Sequence, residues 1–283
     1  MIPIQRPSLV LLRNAGGHWP AAGPGLSITQ IDKAGVSAAL DRYLAGFDLT
    51  GSRRNGLSGE LGTAILLEIA NGGILLSVDS RHAGASWLKA GRVRQEVYVS
   101  RPLVSEITFK FLHHLDERGN MLPVTHKDPA FVPEWISDLD WILGGQANVW
   151  FELQKAEPVK INRQLGSPVN DVAFRTYIAQ HKDALADVTV FLVGKWSGSG
   201  HAGGTFFTDL GDVIALADKP GIPVVEGNNP FIVTLAHELV HYVLHFRGNK
   251  RNIHHLPDQH ALLNKLVEST VVTPFLQQAL NPG

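Results

Sequence analysis

The chain has no cysteine among its 283 residues. Disulfide staples are excluded, and so are thiolate metal ligands. Any metal site must therefore use histidine and carboxylate. The absence leaves the compartment open. Methionine is scarce as well, with only Met1 and Met121. Neither sign of charge is in surplus: 25 Lys and Arg face 26 Asp and Glu, for a net charge of −1 and a pI near 6.9. That balance gives no support for nucleic acid or an anionic membrane as partner. The short basic pieces at residues 52–55 and 250–251 are expected to be solvated loop charges. No run reaches 18 apolar residues, so no membrane span is expected. The N-terminus lacks a charged region followed by a long apolar core, the mark of a signal peptide. The localisation is left open between the cytoplasm and export, through a removed leader or a signal-independent route. No internal repeat recurs at a solenoid period.

What is present is enough apolar sequence to fold. Hydrophobic residues make up 44% and charged residues 18%. A sizeable core is possible and global disorder is not expected. The length is compatible with two domains. Three prolines in residues 123–133 read as a linker or crossing segment. The expected class is α+β, with an N-terminal α+β domain over 1–128 and a second domain over 129–283. In the first part, residues 31–47 read as an amphipathic helix, with Val36, Leu40, Tyr43 and Leu44 on one side. Residues 61–69 are apolar and ambiguous between helix and strand. Residues 73–79 and 96–100 read as strands, and 106–113 either continues the sheet or begins a helix. In the second part, 135–143 and 169–181 read as helices, and 147–153, 186–193 and 213–217 as strands. Between the last two lies a glycine-rich stretch, 194–205, read as a cleft rim or an ordinary surface loop. It lacks phosphate-loop spacing.

The strongest chemical proposal is His237-Glu238-Leu239-Val240-His241. It lies in a segment, 230–246, that reads as one helix. Pro230 suits the first helical position after Asn228-Asn229, and Gly248 suits the end. Ile232, Leu235, Ala236, Leu239 and Val243 recur at helical spacing and predict an apolar back behind a histidine-bearing front. Histidines at i and i+4 share a face one turn apart, so both imidazoles can hold one zinc ion. Glu238 then stands beside the metal, placed to take a proton from the water that the metal activates. The alternative is an amphipathic helix with plain surface histidines, although such a face would favour Lys and Glu. A catalytic zinc usually takes three protein ligands. His245 lies two turns past His237, about 12 Å along the axis at ~1.5 Å per residue, so it cannot close the same site. His254, His255 and His260 follow the Gly248 turn and are candidates. Glu268, on a helical segment at 259–272, is another. His113-His114 with Asp116 and Glu117 match no ligand spacing and read as a polar segment end. His201 reads as a loop histidine.

The run from Thr234 to Leu244 looks like the active-site helix of the zincin metallopeptidases. The continuation His255-Leu256-Pro257-Asp258-Gln259-His260-Ala261-Leu262-Leu263 resembles the metzincin pattern, in which a third histidine precedes a turn under the metal. On that resemblance His255 is the third ligand, and Leu262-Leu263 stand where the family has Leu-Met. The family spacing would want glycine at Leu244 and histidine at Arg247, and the methionine is missing. Zinc peptidases resembling thermolysin would instead use a glutamate such as Glu268. The resemblance is specific across 234–263. It implies a zincin-like domain with a mixed sheet, an active-site helix, and an edge strand that binds the substrate backbone. It also implies a zinc metallopeptidase with His237, His241 and His255 as ligands. Glu238 would be general base and then proton donor to the leaving amine, acting on a peptide or protein substrate. Two alternatives stand beside it. One is a zinc hydrolase or effector toxin acting on another bond. The other is a non-catalytic binding module, against which the intact Glu238 argues. The N-terminal part would serve recognition, inhibition or targeting.

Overall fold

The structure is a computed structural model that describes residues 2–3, 8–115, 118–161, 172–194, 203–206, 212–218 and 230–246. The fold is mixed α+β, and its chain contacts form two compact units. Among the described residues no helix is long and apolar enough to cross a membrane.

The first unit runs to Leu103 and includes Gly144–Asn148. Its strands are β1 (Ile2–Pro3), β2 (Ser8–Leu12), β3 (Pro20–Ala22), β4 (Leu26–Ile31), β5 (Ile74–Ser80), β6 (Gly84–Ala90) and β7 (Val93–Ser100). They form two sheets, β2-β5-β4 and β1-β7-β6-β3. Period-2 alternation sorts the side chains of β2 and β5 onto two faces. Leu12, Ile74, Leu76 and Val78 pack with Leu88, Ala90 and Val99 of the other sheet. Leu9, Leu11 and Leu75 pack on the opposite side against α1 (Val36–Leu44) and α2 (Gly51–Ala70).

Two readings change in this unit. The helix expected over 31–47 is shorter, because residues 26–31 are strand β4. The Asp32 carboxylate accepts the Gly35 N–H at 2.8 Å, which makes a turn between strand and helix. The ambiguous stretch 61–69 is the second half of α2. The basic piece at 52–55, expected in a loop, lies in the first turns of that helix. Leu61, Ile65 and Ile69 recur at i+4 and dock on the sheet. Tertiary packing of one stripe thus overrides a glycine-rich composition.

The second unit holds β8 (Leu103–Leu115, from Val104 on), β9 (Met121–Pro123), α3 (Val132–Leu139), β10 (Val149–Ile161), α5 (Val172–Gln180), β11 (Val188–Gly194), β12 (Gly203–Phe206), β13 (Val213–Ala217) and α6 (Pro230–Phe246). The single turn α4 (Gly145–Ala147) belongs with the first unit. The sheet order is β10-β8-β11-β13-β12, with β9 paired to β8. Strands β8, β11 and β13 are mutually parallel, while β12 is antiparallel to β13. The sheet is therefore mixed. Strands β11 and β13 are buried along nearly their whole length because helices cover both faces. On one face Phe174 and Ile178 of α5 pack on Leu112, Phe191 and Ala215. On the other, Trp135 of α3 meets Phe109, Phe111 and Phe231 of α6.

The proline-rich stretch read as a linker or crossing segment is anchored. Both carboxylate oxygens of Asp218 are used, one by the Thr125 hydroxyl and the other by the His126 N–H at 2.7 Å. The Lys127 ammonium sits 4.5 Å from the Phe231 ring centre. Helix α3 starts within this stretch, three residues earlier than periodicity suggested, after a short turn capped by Asp128.

Candidate functional site

Helix α6 has the predicted start and carries the motif. The histidine-bearing front expected opposite the apolar back is itself covered. Every residue from Phe231 to Val243 is buried. His237 and Glu238 are each 7% exposed and His241 4%. Burial of an ionisable group is costly unless a partner compensates it. Each of these three has one.

The imidazoles converge. His241 Nε2 lies 3.0 Å from His237 Nε2, with ring centres 4.7 Å apart and planes at 82°. Two zinc-bound nitrogens at ~2.0–2.1 Å in a tetrahedron stand about 3.3 Å apart. The pair is close to that separation without rearrangement. As neutral rings they share one proton between the two nitrogens, and a cation could replace it.

Glu238 points to strand β12. The Thr205 hydroxyl lies 2.7 Å from Glu238 Oε2 and 2.9 Å from the Glu238 main-chain oxygen, and it can donate to either. The Thr205 N–H also donates to the carboxylate. Burial pushes the Glu238 carboxyl up to about 7, and the two Thr205 bonds draw it back down. Register explains the geometry. Thr205 pairs with Ile214 and Gly203 with Leu216, so both stand on the sheet face that α6 covers. A Cβ on Gly203 would lie 2.6 Å from Leu216 Cδ2 and 3.3 Å from both Glu238 Cγ and Thr234 Cγ2. Glycine is what allows strand and helix to approach so closely.

Strand β12 was not foreseen as a strand. It begins inside the glycine-rich stretch 194–205 that read as rim or loop. Four residues with two glycines give no usable alternation, so only its pairing with β13 reveals it. Thr205 was missed for the same reason. Tyr242, next to the second histidine, is buried. Burial pushes its hydroxyl up to about 12, with the Asp187 charge adding to the rise and a Ser105 hydrogen bond opposing it.

The structure thus brings together His237, His241 and Glu238. Among the described residues no third His, Asp or Glu joins the two histidines in a group that could hold a metal ion. His255, His254, His260 and Glu268 lie outside the described residues, as do Leu262-Leu263, the segment 259–272 and His201. His113 lies on β8 with Nδ1 2.9 Å from the Phe111 carbonyl oxygen, while Asp116 and Glu117 are outside the described residues.

No protein-family model matches the chain, and no curated protein matches it. A solved structure of a chaperone-substrate complex aligns over 59% of this chain with 9% identity and a TM-score of 0.31. The aligned part spans 27% of that chain. A likeness at this level carries no argument about function.

Proposed function

We propose that the second unit is a zinc-dependent metallopeptidase. The observation that carries this reading is the pair of buried imidazole nitrogens 3.0 Å apart, with a buried carboxylate on the adjacent residue. The donor set suits zinc: imidazole nitrogens, no thiolate anywhere in the chain, and nitrogen spacing close to tetrahedral. His237 and His241 would hold the ion, with His255 as third ligand on the zincin resemblance.

Bound there, zinc would supply an activated water and an electrophile for the scissile carbonyl. The chain's own residues account for the rest. Glu238 takes the proton of the attacking water and returns it to the leaving amine. Its carboxylate is buried and held by Thr205 on the neighbouring strand, which fixes the acceptor in one place. Strand β12 stands at the described edge of the sheet, beside the base. An extended peptide adding to that edge would bring its carbonyl next to Glu238.

The test joins metal analysis with peptide cleavage. The purified protein is expected to hold about one zinc per chain, as a single catalytic site requires, and to cleave members of a mixed peptide library. Glu238→Gln keeps size and metal but cannot accept the proton, so turnover should fall by ~10²–10⁴-fold. A protein that takes up no zinc after refilling, or a Glu238→Gln variant with full turnover, overturns the reading.

A further inference from the structure

We infer that Thr205 is a positioning residue: from the edge strand, its hydroxyl holds the Glu238 carboxylate in the orientation the reaction needs. The inference rests on the metallopeptidase reading for what that orientation serves, and on geometry alone for the contact. Three observations meet here. The Thr205 hydroxyl lies 2.7 Å from Glu238 Oε2 and 2.9 Å from the Glu238 main-chain oxygen. The same residue's N–H donates to the carboxylate. Gly203, two residues earlier, removes the side chain that would keep strand and helix apart.

The arrangement fixes a flexible group from outside its own helix. A glutamate on a helix has several staggered side-chain states. Two donors from one residue of a neighbouring strand select one of them. They also give Glu238 hydrogen bonds where bulk solvent reaches little of it, since it is 7% exposed. An unmet carboxylate there would cost several times more than an ordinary hydrogen bond contributes. The selection couples the strand to the base, so a shift of β12 displaces the proton acceptor. Misplacement of a reacting group by an ångström can cost ~10²-fold in rate.

The test uses the full zinc-loaded chain. Thr205→Val keeps shape and removes the hydroxyl donor; Thr205→Ser restores it. Thr205→Val is expected to lower kcat by about 10- to 100-fold with KM and zinc content unchanged, and Thr205→Ser to return kcat to within about threefold of the parent. A merely structural role would not divide valine from serine in this way. Full kcat in Thr205→Val overturns the inference, as does a Thr205→Ser variant as slow as valine. A second readout needs no activity. Urea midpoints are measured for the parent, Thr205→Val, Glu238→Met and the double variant. The valine change should lower the midpoint in the parent and leave it almost unmoved when Glu238 is already replaced. Additive midpoints overturn the contact. If the parent binds zinc but cleaves no peptide, the metallopeptidase reading has failed, and the midpoints alone decide whether Thr205 holds Glu238.

Discussion

Helices α2 and α6 are similar in length, 20 and 17 residues, and opposite in placement. No described side chain of α2 is buried, whereas α6 is buried from Phe231 to Val243. Helix α2 docks a single stripe, Leu61, Ile65 and Ile69, and leaves Leu67 64% exposed on its other side. Its two carboxylates stay near the surface: Glu60 is exposed, and Glu68 meets Arg13 at 3.2 Å in a pair too solvated to matter much. Helix α6 does the reverse. It hides two imidazoles and a carboxylate among Leu235, Leu239, Val240 and Val243. A surface helix can carry charge at little cost. A buried helix carries it only where partners compensate, and here the partners are the other imidazole and Thr205. The contrast sets α6 apart as the helix whose buried polar groups the proposed metallopeptidase chemistry would use.

The largest expected effect is at the metal. His255→Ala should weaken zinc binding by more than ~100-fold, beyond what loss of a supporting residue costs. His254→Ala and Glu268→Ala should leave the metal bound. Chelator competition on the three variants checks this. Zinc loss in Glu268→Ala with retention in His255→Ala would transfer the third-ligand role to the glutamate.

Next comes the buried packing of α6. Leu239 is fully buried. Leu239→Ala should cost ~2–5 kcal/mol by urea unfolding. A cost near zero would mean that α6 is held no more firmly than α2.

Two glycines sharpen the comparison further. Gly203→Ala drives a methyl against Leu216, Glu238 and Thr234 and should destabilise by ~1–3 kcal/mol. It should also slow turnover, because the new methyl presses on Glu238 Cγ. Gly59→Ala in α2 meets nothing within 4 Å. It replaces a flexible residue inside a helix and should stabilise by ~0.5–1 kcal/mol. Thermal unfolding of both variants reads the two signs. A destabilising Gly59→Ala would mean that α2 is closer to its neighbours than its exposure indicates.

Legibility followed locality. Helix α6 was readable from its start, because Pro230, the apolar recurrence and the i, i+4 histidines all lie within one helix. Strands β11 and β13 were readable as short apolar runs, and the structure places them within two residues of the reading or better. The shortened α1 and the extended α2 were misjudged at their ends, where a turn bond from Asp32 and a docked stripe decide. The α+β class was legible from the mixture of periodicities. The sheet order was not.

The amino-acid sequence by itself determined that one helix would present two imidazoles and a carboxylate together, with no sulfur to compete. That follows from a 3.6-residue turn acting on histidines four residues apart. Only the tertiary structure decided that this face is buried, that β12 exists and that Thr205 bonds to Glu238. Those two residues stand 33 apart in sequence. Their meeting depends on the pairing of β12 with β13 and the seating of α6 beneath both. Such long-range contacts are fixed by the packing of the whole unit and leave no periodicity in the residues that make them.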